Sequence, residues 1–512
     1  MMARAQPYRP FTYLAENAAR RPQAPAVYEP SGETSFSELL TLVRSWMVFL
    51  RARSVAPGDV VAVSLPNSSQ YVAVEIAVPA VGAVLMPLAP SLGAYELDSS
   101  LRRSRTSVVV VEATTSERLR PVAERLPDVR TVVEPLEVGD AEAADDCEPY
   151  PTQSSDIVQI ALTSGTTGPP KLASLSAELK QLTFEGFTGR LGITPADRVL
   201  PLSPVSQGVG EMCLYALRKG AGLVMTGESH FSPGRSLRLA RKSRATVIGG
   251  VPTMVRRLLD EPAIDQLDRV RVTAVAGAPM PAELAKAWEI TTGAKLCGFY
   301  GAMDIGQLAV ASPDDPADKR WTTVGRPHER AEMMVCDPQG RAVAKGTVGE
   351  ICMRGPLVQA RYWADGSTPY AADGWAHFGD LGFVDEDGYV HVIGRTKDIV
   401  IRGGDNINPH EVEGMLLEHP KIVEACVVGL ADEDLGERPV ACLVLRQAEA
   451  VSIEEVREFL GTLGLARYKW PEELLILDEL PVGSTGKVIR QQLRDTVNSD
   501  RDRLIVSKGG SR

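Results

Sequence analysis

Apolar residues come in short blocks along the first half of the chain. In GDVVAVSLPNSSQYVAVEIAVPAVGAVLMPL the pattern predicts strand, helix, strand. Val60–Leu65 is a β-branched run, Asn67 or Ser68 can cap the next helix, and Ala83–Met86 returns as a strand. SVVVVEA, Ser107–Ala113, is apolar on both faces, as in a strand buried within a parallel sheet. ATVIGG (Ala245–Gly250) then leads into a helix from Pro252, and VRVTAVAG (Val270–Gly277) into one from Pro281. Proline suits the first helical turn, where an N–H would lack a partner. Repeated strand–helix alternation predicts an α/β fold with helices over both sheet faces.

The pattern changes twice further on. From about 310 to 394, turn pairs become dense (DPQG, ADGS, ADGW, DEDG) with short apolar runs between them, which reads as a β-rich, barrel-like subdomain. After Arg395, Asn408 with Pro409 and Glu411 has the spacing of a capping box, and Val412 and Leu416 share one helical face. ACVVGL and VACLVL read as strands, and Ser452 with Glu455 begins a third helix. The expected organisation is a large N-terminal domain over 1–394 built of α/β sheet subdomains and the β-rich piece. A small α+β C-terminal domain over 395–512 follows it. The tail SKGGSR reads as disordered.

Composition removes some functions. The chain has 512 residues, enough for two to four domains, and a net charge of −11, so the electrostatic footprint of a nucleic-acid binder is missing. The most apolar long stretch, Val72–Ala89, is interrupted by Glu75, Pro79 and Pro87, which suits buried strand and helix rather than a membrane span. The N-terminus lacks a long apolar h-region, so no signal peptide is expected. Seven cysteines and six histidines are dispersed, with no CxxC pair. This reads as a cytoplasmic protein with reduced thiols and no zinc site.

LTSGTTGPPK, Leu162–Lys171, is the candidate for chemistry. Successive N–H groups around Gly165 and Gly168 can form an anion nest. Ser164, Thr166 and Thr167 add hydroxyls, and Lys171 adds a mobile charge. The plain alternative is a polar surface turn. The order GxxGxxK, with Pro170 before Lys171, does not match the GxxxxGK[ST] of P-loop nucleotidases.

This stretch resembles the phosphate-binding signature of the ANL superfamily of adenylate-forming enzymes, which includes acyl-CoA synthetases, adenylation domains and luciferases. Further similarities follow in the family's order: GAP (Gly277–Pro279), GFYGAMD (Gly298–Asp304), DGWAHFGDLG (Asp373–Gly382), GRTKDIVIRGGDNINPHEVE (Gly394–Glu413) and LPVGSTGKVIR (Leu480–Arg490). The resemblance covers nearly the whole chain. It implies that a carboxylate attacks the α-phosphate of magnesium-bound ATP, giving an acyl-adenylate and pyrophosphate. A thiol, usually that of coenzyme A, then displaces AMP. Carboxylate and triphosphate repel each other, so such a reaction rests on positioning and neutralising charge.

The resemblance also implies roles. Thr163, Ser164, Gly165, Thr166, Thr167, Gly168 and Lys171 would cradle the β- and γ-phosphates. Tyr300 would stack on adenine within the segment Phe299, Tyr300, Gly301 and Met303, beside Gly277, Ala278 and Pro279. Asp380 would accept both ribose hydroxyls, Arg395 would add a ribose or phosphate contact, and Asp304 would face Mg2+. Lys487 would bridge the carboxylate and α-phosphate. Lys397 would be the hinge about which a mobile C-terminal domain rotates. Gly403 and Gly404 would admit the pantetheine thiol.

Departures cluster near the expected acid pocket. The family's SPVxHxxG appears as SPVSQGVG, with Gln207 for histidine; YGxTE becomes YGAMD, with Met303 and Asp304; and TGD becomes FGD, with Phe378. Pocket candidates are Gln207, Gly249, Ala302 and Gly306. They lean toward an aryl, enoyl or medium-chain acid with CoA as acceptor. Three alternatives stand beside that reading: a carrier-protein thiol, a non-thiol acceptor or nitrite activation, and a catalytically degenerate ATP- or AMP-binding protein. A monomer or homodimer is expected.

Overall fold

A computed structural model describes residues 7–90, 92–135, 147–163, 170–228, 230–302, 306–358, 361–363, 366–368, 374–446, 449–483 and 488–506. Ser164–Gly168, Met303, Asp304, Lys487 and the tail therefore lie outside the described residues, as does the Thr163 side chain. The chain divides into two compact units: Met1–Met333 with Met353–Ala376, and Met334–Cys352 with His377–Arg512.

Among the described residues the first unit carries a nine-stranded and a seven-stranded sheet. The centre of the larger sheet is parallel: Lys295–Ala302, Val272–Val275, Val247–Gly250, Arg198–Pro201, Gly222–Val224 and Pro25–Glu29 lie side by side in that order. The smaller sheet runs Arg361–Tyr362, Lys171–Ser176, Ile157–Thr163, Val84–Pro87, Val60–Ser64, Thr106–Val111, Thr131–Val133.

The predicted elements form close to their expected bounds. Ser68 caps the helix Ser69–Ala80, its Oγ accepting the Tyr71 N–H. Every residue from Tyr71 to Ala80 is buried, so this helix is a core element apolar on all sides. Glu75 is tolerated there because Arg218 binds it with two hydrogen bonds of 2.7 and 2.8 Å. Trp46, Phe36 and Leu39 on Phe36–Ala52 and Tyr215 on Gly208–Arg218 fill the same core. Each such side chain stabilises the fold by roughly 1.5–3 kcal/mol on burial. No helix among the described residues is long and apolar enough to cross a membrane.

The turn-rich segment forms a four-stranded sheet ordered Glu332–Cys336, Gly349–Arg354, Ala376–Val384, Val390–Arg395, the last two antiparallel. The second unit adds a sheet led by the long hairpin Ile422–Asp432 and Gly436–Leu445. Helices Pro409–Leu416 and Ile453–Thr462 supply Val412, Leu416, Val456 and Leu460 to its core. Asn408 caps the first of these helices, accepting the His410 N–H at 3.1 Å. The expected reciprocal bond from Glu411 is not made: its carboxylate accepts two bonds from Lys469 Nζ, at 2.8 and 2.7 Å.

Candidate active site

The glycine-rich stretch joins two antiparallel strands. Ile157–Thr163 pairs with Lys171–Ser176, and the last pair before the loop is Thr163 with Lys171. A loop in this position belongs to a hairpin and not to a strand–helix turn, in keeping with the failed P-loop match. Lys171 is exposed, and its Nζ lies 3.4 Å from Tyr362 Oη and 4.8 Å from that ring's centroid. Tyr362 is held there by pairing with Ala173 on the next strand.

A second group of candidate residues gathers at the carboxyl ends of the parallel strands. Gly249 pairs with Ala274, and Ala274 with Cys297. The last parallel pair is Val275 with Gly298; Gly277 follows just past the end of its strand, and Tyr300 follows within the strand Lys295–Ala302. Crevices outside the carboxyl ends of parallel strands are where open α/β sheets bind ligands. Gly277 has φ +94°, in the left-handed region where a side chain is strained, and Ala278–Pro279 follow it. Tyr300 is 9 % exposed and pairs with Ala309, and Phe299 packs edge-on against Phe187 at 5.6 Å. A Cβ on Gly301 would come within 2.3 Å of the Gly306 carbonyl oxygen, so the hairpin from Ala302 to Gly306 closes only with glycine at 301. Gln207, half-buried, immediately precedes the helix Gly208–Arg218. A Cβ on Gly249 would meet Cys213 Sγ at 2.3 Å, so this helix fills the space that the glycine leaves. A cavity of about 510 Å³ opens beside Arg271 and Lys295, at the amino-terminal edge of the same strands and away from these residues.

The remaining candidates lie in the second unit. Asp380 and Arg395 face each other on paired strands, and Arg395 Nε donates to Asp380 Oδ1 at 2.8 Å. Asp380 is 7 % exposed while the arginine side chain is 47 % exposed, so the pair couples a buried carboxylate to an accessible guanidinium. Lys397 sits in the turn Thr396–Asp398. Its side chain is largely exposed, yet partial burial of the ammonium, then the Arg395 charge, draws its pKa below the ordinary lysine range. Gly403 and Gly404, at φ +57° and +92°, form the two-residue turn between Val400–Arg402 and Asp405–Ile407. Two consecutive positive φ values are what such a hairpin turn requires.

Lys487 is not described, but the base of its loop is. Val482 bridges to Val488, and the Ile489 N–H donates to the Pro481 carbonyl at 2.8 Å. Arg490 then donates to both oxygens of the buried Glu413, at 2.7 and 2.6 Å, and to the Val427 carbonyl at 2.9 Å. Burial alone would raise the Glu413 pKa, but the Arg490 and His410 charges overcome it and hold the carboxyl down at about 2.

Two features escape the sequence reading. Gln307, beside Gly306, is 1 % exposed, and neither its amide nitrogen nor its oxygen has a partner among the described residues. A Cβ on Gly186 would sit 3.1 Å from Gln307 Oε1 and 2.5 Å from the His328 ring, so the three residues are neighbours. The signal was a lone amide inside the apolar strand Gly306–Val310. The expectation that cysteines and histidines stay dispersed is also overturned. Cys336, Glu350, Cys352 and His377 bring their donor atoms within 4.8 Å of one another, because neighbouring strands carry them to one place.

Comparisons with known proteins follow the same outline. The chain is 32 % identical over 490 residues to a feruloyl-CoA synthase of an Amycolatopsis species, covering 94 % of this chain and 98 % of that protein. It is 29 % identical over 510 residues to the fatty acid–[acyl-carrier-protein] ligase ScoC of Streptomyces coeruleorubidus, covering 96 % of each. The crystal structure of ATP-bound MatB from Rhodopseudomonas palustris superposes with a TM-score of 0.87 at 27 % identity, covering 96 % of this chain and 99 % of that one. The family model for AMP-binding enzymes matches residues 14–363 and that for the AMP-binding enzyme C-terminal domain matches 411–487, so the chain belongs to the AMP-binding enzymes of the adenylate-forming ANL superfamily, as an acyl-CoA synthetase-like ligase.

Proposed function

We propose that the protein activates a small apolar or aromatic monocarboxylic acid with ATP, releases pyrophosphate, and passes the acyl group from the adenylate to the thiol of coenzyme A with loss of AMP. The observation that carries this reading is the parallel register that ends at Val275 with Gly298, two residues before Gly277 on one chain segment and two before Tyr300 on the other. The likeness to a feruloyl-CoA synthase supports an aryl or enoyl acid, and that to ATP-bound MatB supports the nucleotide.

In this reading Tyr300 offers its ring to adenine, with Gly277, Ala278 and Pro279 leaving room for a flat base. Asp380 accepts from the ribose hydroxyls, and Arg395 orients that carboxylate. Thr163–Gly168 and Lys171 hold the terminal phosphates. Lys487 neutralises charge between carboxylate and α-phosphate, and Asp304 supplies a hard oxygen of the type Mg2+ prefers. The acid enters beside Gln207, Gly249, Ala302 and Gly306, where Gln307 offers a buried amide to a polar ring substituent. Lys397 is the hinge of a small domain opening at Arg395, and Gly403–Gly404 line the thiol's approach.

Exchange of labelled pyrophosphate into ATP tests the first half without any thiol. Aryl and enoyl acids should drive exchange in the native protein, and Lys487→Ala should lose at least 100-fold of it while still forming thioester from supplied adenylate. That loss is about 2.7 kcal/mol of transition-state stabilisation. Equal loss of both half-reactions would remove the role given to Lys487. A second reading, transfer to a carrier-protein thiol, is supported by the likeness to ScoC. It takes over if exchange is strong, free CoA yields no thioester, and a phosphopantetheinylated carrier does.

A further inference from the structure

Across the four-stranded sheet, three adjacent strands aim donor atoms at one point. Cys336 ends the strand Glu332–Cys336, Glu350 and Cys352 belong to Gly349–Arg354, and His377 belongs to Ala376–Val384. Glu350 and Cys352 are two residues apart and so share a face of their strand. Cys336 Sγ lies 3.0 Å from Cys352 Sγ, Cys352 Sγ lies 3.4 Å from His377 Nδ1, and His377 Nδ1 lies 3.0 Å from Glu350 Oε2.

We infer that these four side chains form a zinc site. The donor set, two thiols with an imidazole and a carboxylate, is one that zinc favours over magnesium or calcium. All four donor atoms lie within 4.8 Å of one another, which can be compared with a tetrahedron. With Zn–S of about 2.3 Å and Zn–N of about 2.0 Å, tetrahedral geometry separates sulfur from sulfur by about 3.8 Å and sulfur from nitrogen by about 3.5 Å. The observed sulfur–nitrogen edge of 3.4 Å already fits, and the 3.0 Å sulfur pair must open by about 0.8 Å on binding. Two sulfurs at 3.0 Å are too close for comfortable packing and far beyond the bond of about 2.05 Å in a disulfide.

The surroundings suit the ion. The two cysteines are 1 % and 0 % exposed, whereas the His377 and Glu350 side chains keep 32 % and 27 % exposure, so an ion reaches the thiols from the solvent side. The second oxygen of Glu350 accepts the Gly379 N–H at 3.0 Å, which fixes the carboxylate's orientation from outside the coordination sphere. Binding Zn2+ releases two thiol protons to solvent, leaving two thiolates, a neutral imidazole and a carboxylate on the ion. Four protein ligands leave no position for a water, so the ion is structural. It ties together three strands, one of which carries Asp380 three residues beyond His377.

The test uses the full chain, stripped of metal and reduced under nitrogen, then titrated with Co2+. One equivalent should give the visible bands of tetrahedral cobalt together with a thiolate-to-cobalt charge-transfer band whose intensity corresponds to two sulfurs. Zn2+ should displace it, and should raise the thermal midpoint of the native protein. Cys336→Ser and Cys352→Ser should each lose at least half the charge-transfer intensity and weaken zinc binding at least 100-fold. If these variants do not fold, the stoichiometry and sulfur count of the native protein decide alone. The site is refuted by octahedral cobalt without the charge-transfer band, or by a band unchanged in both serine variants. A native mass lighter by two hydrogens, mapping to a Cys336–Cys352 disulfide under non-reducing conditions, equally overturns it.

Discussion

Glu413→Gln keeps the shape of a buried side chain and removes its charge, which isolates the term that holds Arg490 beside it. In the native protein the carboxyl pKa falls from 4.5 to about 2. At 1.36 kcal/mol per unit, that shift contributes roughly 3 kcal/mol of stability. The folded pKa is depressed, so the contribution is complete above pH 4.5 and fades as pH falls toward about 2. The glutamine variant would leave the Arg490 guanidinium buried with Asp398 as its nearest remaining carboxylate, at 3.9 Å. Breaking a buried pair in this way typically costs about 3–5 kcal/mol, in agreement with the value from the pKa. Hydrogen exchange at the Val427 amide reads the effect directly, because that N–H donates to Glu413 Oε1 at 2.6 Å within the strand Ile422–Asp432. A loss of about 3 kcal/mol speeds exchange through opening by roughly 100-fold. The gap between native and variant proteins should narrow as pH drops below 4.5, since the native carboxyl is then being protonated. Adding Arg490→Met to the variant should restore part of the loss. Exchange within threefold of native at pH 7, or a gap that stays constant as pH falls from 5 to 3, would refute the reasoning.

Three further outcomes follow from the geometry. Lys180 Nζ lies 2.5 Å from Glu211 and 2.7 Å from Gln159 in the core, so Lys180→Met should lose about 3–5 kcal/mol in urea unfolding and Lys180→Met with Glu211→Leu should recover much of it; an unchanged midpoint in the single variant speaks against a structural pair. Asp380→Asn should weaken ATP binding about 10- to 100-fold by calorimetry, the worth of a charge-assisted hydrogen bond or two, and unaltered affinity would remove Asp380 from the nucleotide site. Lys397→Pro restricts φ in the turn Thr396–Asp398, so pyrophosphate exchange should persist while thioester formation falls at least tenfold; parallel loss of both would argue against a hinge there.

Local patterns were legible where one residue type meets one local need. The β-branched runs became the parallel strands, and Ser68 and Ser452 cap the helices they precede, each accepting the N–H three residues on. Sequence spacing failed where a distant group competes. Glu411 has the capping-box position, but Lys469 takes its carboxylate from 58 residues away. Gly249, a pocket candidate, also lies against Cys213, a packing neighbour that no sequence spacing announces. The ion pair of Asp380 and Arg395 depends on strand register, including an irregularity between Leu381 and Gly382, which no motif states. The gathering of Cys336, Cys352 and His377 was invisible for the same reason: only the lateral order of three strands makes neighbours of residues with no recognisable spacing.

The chain's path between its two compact units governs how it can be made. Met334–Cys352 belongs to the second unit, Met353–Ala376 returns to the first, and His377 begins the rest of the second. A ribosome adding about 5–20 residues per second needs about 1–5 s to complete the returning segment. The opening strands of the second unit therefore leave the exit tunnel before the first unit has received its last piece, and wait for partners not yet translated. Vectorial folding, one finished body after another, is closed to this topology. For the same reason no single cut yields two self-sufficient fragments: cleavage after Ala376 strands Met334–Cys352 on the wrong piece, and cleavage before Met334 strands Met353–Ala376.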